Sequence, residues 1–136
     1  MRALRPTVDT KFHIDLNWWQ RQNKDIRVFL QDILCEECRA GLDLNHEQTV
    51  DMIDPDTAEV QRVDAMWEAI RACCSLKPGY ITIDTPLLES IFRVFLANGN
   101  KPLSVRELHE RLNKKPAETM LRLLTKGRVY LGIRPV

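Results

Sequence analysis

The stretch TPLLESIFRVFLANGNKPLSVRELHERLNKKPAETMLRLLTKGRVYLGIRPV, residues Thr85–Val136, decides the fold. Thr85-Pro86 opens a helix, because the hydroxyl accepts an orphan backbone N–H and proline is tolerated at the first helical position. Leu87, Leu88, Ile91, Phe92, Val94, Phe95 and Leu96 leave almost no polar face, so this helix is expected to be buried on several sides. Asn98-Gly99-Asn100 supplies a left-handed stop. Ser104-Val105-Arg106-Glu107 is a capping box that starts a short second helix over Val105–Leu112, with Leu108 and Leu112 inward. Asn113-Lys114-Lys115-Pro116 breaks it. A third helix restarts at Pro116, with Ala117, Met120, Leu121 and Leu124 as its inner face. Beyond Gly127 the period becomes two: Val129, Leu131 and Ile133 alternate with Arg128, Tyr130 and Arg134, as in a half-buried strand.

This succession of buried helix, capped short helix, turn, helix and strand resembles a winged helix-turn-helix domain. The residues that carry the likeness are Thr85-Pro86, the Asn98–Ser104 connector, Glu107, the Asn113–Pro116 turn and the Arg128–Arg134 strand. A full wing needs two strands after the third helix, and only one is predicted here. Either that strand pairs with Tyr80–Ile83 or another segment, or the likeness is to a bare tri-helical core. In such domains residues early in the last helix reach base edges, while surrounding lysines and arginines contact phosphates. The resemblance therefore implies Lys114, Lys115, Glu118, Thr119 and Arg122 as DNA contacts, with Lys126, Arg128 and Arg134 as phosphate clamps. Arg122 is the candidate for bidentate reading of guanine. A solvated helix face and a protein-binding face are the competing explanations of the outward stripe Lys115, Thr119, Arg122 and Lys126.

With 136 residues the chain suits one domain or two small cooperating halves, divided here as 1–78 and 79–136. Composition is that of a globular protein without a membrane-length apolar run, and the first fifteen residues lack the apolar core of a secretory signal. A cytoplasmic setting is the default expectation, with four cysteines that need not pair. The net charge of +1 hides an asymmetry: residues 1–100 hold 11 Lys/Arg against 16 Asp/Glu, whereas residues 101–136 hold 9 against 3. A basic end on an acidic body fits a polyanion-facing surface.

The N-terminal part starts with an aperiodic arm, Met1–Thr10, and a short strand at Lys11–Ile14. A long helix capped by Asp15 or Asn17 is then predicted as far as Gly41, striped by Ile26, Phe29, Leu30, Ile33, Leu34 and Cys38. Trp18 and Trp19 open it, one packing inward and the other partly exposed. Val50–Ile53 and Glu59–Val63 flank Asp54-Pro55-Asp56, which is hairpin chemistry. Asp64 caps a helix to about Leu76, with Met66, Trp67, Ile70 and Cys74 inward, and Tyr80–Ile83 reads as a strand.

Cys35-Glu36-Glu37-Cys38 and Cys73-Cys74 could together make a tetrahedral thiolate zinc site, or a redox pair. Two arguments favour plain core thiols. Adjacent cysteines on a helix point about 100° apart, and this C-x-x-C falls inside the expected long helix rather than on a tight knuckle. His13, His46 and His109 show no ligand spacing. Phosphate-binding glycine loops and nucleophile elbows are missing, and turn and cap duties explain the hairpin aspartates, so an enzyme is not expected.

The sequence thus predicts a mostly helical α+β protein: a long helix, hairpin and helix packed on a winged-helix-like unit of three helices and a terminal strand. The leading function is binding of double-stranded DNA, as a transcriptional regulator or nucleoid accessory factor, with a homodimer through the N-terminal half suited to paired half-sites. A protein-interaction adaptor is the alternative, and structured RNA a third possibility.

Overall fold

The computed structural model describes residues 5–44 and 47–136. The front of the expected N-terminal arm (Met1–Leu4) and His46 lie outside the described residues. The described chain is mixed α+β, with seven α-helices and two small antiparallel sheets. None of these helices is long and apolar enough to cross a membrane.

Two compact units are formed, and they do not follow the 78/79 division. One comprises the chain up to Lys24 together with Ile81–Val136; the other is Asp25–Tyr80. In the first unit the strands are β1 (Lys11–Ile14), β4 (Leu103–Ser104) and β5 (Ile133–Pro135), and the helices are α1 (Leu16–Arg21), α5 (Leu87–Ala97), α6 (Val105–Leu112) and α7 (Ala117–Thr125). The sheet order is β4-β1-β5, so the N-terminal strand is central and antiparallel to both neighbours. Its register sets His13 opposite Arg134 and Phe12 opposite Leu103. Phe12 and Ile14, on its inner face, are fully buried with Phe92, Phe95, Leu108, Met120 and Ile133. Alternation of period two at Lys11–Ile14 is what allows one face of β1 to enter that core.

The capping box forms as the sequence predicts. Ser104 Oγ accepts the Glu107 N–H at 3.1 Å, and Glu107 Oε1 accepts the Ser104 N–H at 3.0 Å. Asn113 takes the left-handed conformation that turns α6 into α7, and Gly99 and Asn100 do the same after α5. Helix α5 begins one residue later than expected, with Pro86 at the cap, and the Thr85 hydroxyl serves another purpose: it accepts the Thr82 N–H at 3.0 Å in a turn. Residues 80–83 form no strand. The terminal strand is confined to β5, since Leu131 and Gly132 both have positive φ and turn the chain just before it. Gly132 is required there, because a Cβ would stand 2.7 Å from Trp19 Nε1.

The second unit corrects the long helix. It is split into α1, α2 (Ile26–Ile33) and α3 (Glu36–Gly41). Asn23 adopts a φ of 53°, and the Asp25 carboxylate then accepts the Arg27 N–H to cap α2. Leu34 and Cys35 are extended, which ends α2 and starts α3. The hairpin of β2 (Thr49–Ile53) and β3 (Val60–Asp64) forms as expected, with Asp54 Oδ1 accepting the Asp56 N–H in its turn. Asp64 caps α4 (Ala65–Ala72) by accepting from Met66 and Trp67, and a 3-10 turn (Cys74–Leu76) follows. Met66, Ile70 and Cys74 point inward as expected, whereas Trp67 is half-buried.

Candidate nucleic-acid interface and cysteine cluster

Division by compact unit sharpens the charge asymmetry. The unit containing the two chain ends holds fifteen Lys/Arg against seven Asp/Glu, a net +8; Asp25–Tyr80 holds five against twelve, a net −7. The basic unit thus carries the whole cationic excess of the chain.

On that unit the eight expected contact residues separate into distinct groups. Lys115, Glu118, Arg122, Lys126 and Arg128 are exposed, and Thr119 is half-buried on α7. No carboxylate is paired with Lys115, Arg122, Lys126 or Arg128 among the described residues. Lys114 is engaged elsewhere: its Nζ donates to the Thr82 carbonyl at 2.8 Å and also to the Thr85 carbonyl. It ties the segment before α5 to the α6–α7 turn. Arg134 lies on β5 and reaches Asp15 Oδ2 at 3.2 Å, beside Arg21 at 3.5 Å. The geometry therefore leaves Lys115, Arg122, Lys126 and Arg128 as the outward cations and gives Lys114 and Arg134 internal duties.

The turn before α7 is set by short contacts. His109 Nδ1 and the Lys115 carbonyl are 2.7 Å apart, joined across the left-handed Asn113. At the other end of α7, Lys126 and Arg128 border a cleft of about 750 Å³. Trp18, Leu88, Leu123 and Tyr130 contribute its aromatic and apolar lining, and Lys24 joins the cationic rim. The Lys24 ammonium stands 5.7 Å from the centre of the Trp18 ring, within cation–π range. Burial pushes the Tyr130 hydroxyl pKa up, with Glu89 adding to it, which keeps the phenol neutral and able to donate. Lys24 and Trp18 were not among the expected contacts. They arrive because β1 inserts at the centre of the sheet and carries α1 with it, a long-range pairing for which the C-terminal pattern has no signal.

The four cysteines converge within the other unit. The Sγ atoms of Cys35, Cys38 and Cys73 all lie within 4.8 Å of one another, close enough to hold a metal ion. Cys74 Sγ is 3.3 Å from Cys35 Sγ and accepts the Cys35 backbone N–H at 3.3 Å. The expectation of helix-bound thiols does not match this geometry. Cys35 is the extended residue before α3, and Cys73, with φ −129° and ψ −63°, breaks the chain between α4 and the 3-10 turn. The adjacent cysteines therefore escape the helical 100° divergence, and the C-x-x-C spans a helix start. Of the four, only Cys74 is buried in the way a core thiol would be; the others are half-buried.

Electrostatics differ within the cluster. The Cys38 backbone N–H, then the Cys74 thiol, lower the Cys35 pKa to about 7, favouring thiolate. Burial pushes the Cys38 and Cys74 thiols up. Lys77 Nζ pairs with Glu37 Oε2 at 3.0 Å beside the group, and the Cys73 thiol faces the same carboxylate.

No protein-family model, curated protein or solved structure matches the chain.

Proposed function

We propose that the protein binds double-stranded DNA through the basic, winged-helix-like unit, as a transcriptional regulator or nucleoid accessory factor. The observation that carries this is the segregation of charge, +8 on one compact unit and −7 on the other. Surface cations attract a phosphate backbone and gain entropy by releasing its condensed counterions. The three helices α5–α7, the left-handed turn at Asn113 and the capped start of α6 support the winged-helix likeness, and β1 brings the sheet to three strands that the C-terminal segment alone does not supply. On this basis Arg122 reads a base edge, and Lys115, Lys126 and Arg128, joined by Lys24, position the phosphates. Lys114 and Arg134 shape the unit rather than touch DNA.

Polarisation titration of the whole protein on random duplex over a salt series tests this. Binding that weakens steeply with salt is the expected result, and no binding at low salt contradicts the proposal.

One observation favours a second reading, a protein-interaction adaptor. Leu123 on α7 is 45% exposed and lines the cleft with Trp18 and Leu88, an apolar strip of the kind that receives a partner side chain. Duplex binding that weakens on Lys126→Ala but is unchanged on Leu123→Ser separates DNA from this alternative.

A further inference from the structure

We propose that Cys35, Cys38, Cys73 and Cys74 hold one Zn²⁺ as a closed, four-thiolate structural site. Its basis is geometric and independent of the DNA proposal. Zinc bound tetrahedrally at a Zn–S length of about 2.3 Å sets sulfur–sulfur edges of about 3.8 Å. Cys35, Cys38 and Cys73 lie within 4.8 Å of one another, which accommodates that edge, and Cys74, outside this mutual group, meets it at 3.3 Å from Cys35. The donor set is all sulfur and, with Cys74 joining the three mutually close thiols through Cys35, numbers the four that a closed tetrahedral site needs, which selects zinc over hard oxygen-seeking cations.

Backbone geometry fits the same role. Cys35 and Cys38 sit at the start of α3, and Cys73 and Cys74 at the break after α4, so one ion would clamp two helix junctions 35 residues and more apart in sequence. The Cys35 N–H aimed at Cys74 Sγ is the kind of outer contact that orients a thiolate ligand. Four thiolates around a dication leave a net charge of −2, and Lys77, ion-paired to Glu37 beside the Cys73 thiol, is placed to offset part of it. The thiols that are still protonated would release their protons on binding.

A disulfide is the competing use of these residues. A Cys35–Cys74 bond would employ two sulfurs and leave the approach of Cys38 and Cys73 without a purpose, whereas a metal employs all four. The unit also has reason to need a staple. Among the described residues it buries seven apolar side chains, against thirteen in the basic unit, and small cores commonly rely on a metal or disulfide for stability.

The test uses the whole protein, purified under reducing conditions without chelator. Elemental analysis should find about one zinc per chain, and a thiol reagent should release it. Reconstitution of reduced, metal-stripped protein with Co²⁺ alone should give the intense thiolate charge-transfer and tetrahedral d–d bands, lost in Cys38→Ser. Substoichiometric zinc together with no thiolate bands after Co²⁺ addition would overturn the proposal. So would mass spectrometry showing an intact Cys35–Cys74 disulfide in protein isolated under non-reducing conditions with no metal bound.

Discussion

Asn100 clasps the end of β1 by two hydrogen bonds to Ile14: its Nδ2 donates to the Ile14 carbonyl at 2.9 Å, and its Oδ1 accepts the Ile14 N–H at 2.8 Å. The residue that stops α5 in the left-handed conformation thereby also pairs backbone groups of the central strand that would otherwise lack partners. Asn100→Gly keeps that backbone conformation and removes both bonds. The expected cost is about 1–3 kcal/mol, read by urea unfolding. A variant as stable as the parent would mean that water replaces the amide without loss.

Gly132 carries a second constraint on the same sheet. Its φ is 80°, and Trp19 Nε1, which donates to the Leu131 carbonyl at 3.1 Å, occupies the space a Cβ would take. Gly132→Ala is expected to destabilise by roughly 1–3 kcal/mol and to shift Trp19 fluorescence to the red as the indole is displaced. Unchanged emission and unchanged stability would show that the turn relaxes freely.

Glu107 links the capping box to pH. The Ser104 N–H, and then the Lys11 ammonium, lower its carboxyl pKa below the ordinary 4.5. A carboxylate with a depressed folded-state pKa contributes stability that is fully present above its unfolded value and is lost as pH falls through the folded one. The stability of the parent minus that of Glu107→Gln should therefore be flat near neutrality and shrink below pH 4.5. The check is chemical denaturation at a series of pH values. A difference that grows on acidification would reverse the assigned sign.

Under the proposed DNA binding, Lys114 and Lys126 separate structure from binding. Removing Lys114 takes one of two donors from each of the Thr82 and Thr85 carbonyls and unties the segment before α5 from the α6–α7 turn, so Lys114→Ala is expected to lower the melting temperature by several degrees, for a loss of about 1–2 kcal/mol. Its duplex affinity, measured well below that melting point, should change little. Lys126→Ala should do the opposite, weakening all duplex sequences alike at unchanged melting temperature. Calorimetry with polarisation on both variants decides whether the two roles are assigned to the right lysines.

The features legible in the sequence were those whose cause is local. The Ser104–Glu107 box, the Asp64 cap, the Asp54-Pro55-Asp56 turn and the left-handed stop at Gly99-Asn100 each need only residues within about four positions. The single long helix failed because its apolar stripe runs on in phase through the breaks. Asn23 and the Asp25 cap mark the first interruption, and the extended Leu34-Cys35 marks the second. The β1–β5 pairing joins strands of four and three residues at opposite ends of the chain, and such short segments carry no signal of their partner. Distance in sequence also hid the site. The winged-helix resemblance counts Lys114, in the turn before the last helix, among the outward contacts, yet two carbonyls before α5 engage it, and the convergence of Cys35 with Cys74 depends on a helix break that the pattern does not show.

The most direct measurement of the proposed DNA binding is the slope of log affinity against log salt for the parent and for the triple variant Arg122→Ala, Lys126→Ala, Arg128→Ala on one random duplex. Lys126 and Arg128 are the phosphate contacts among the three, and each one lost should flatten the slope by about 0.9, so the triple variant should differ by roughly 2. Equal slopes for the two proteins would place the phosphate contacts elsewhere, and contradict an interface built on α7 and the segment after it.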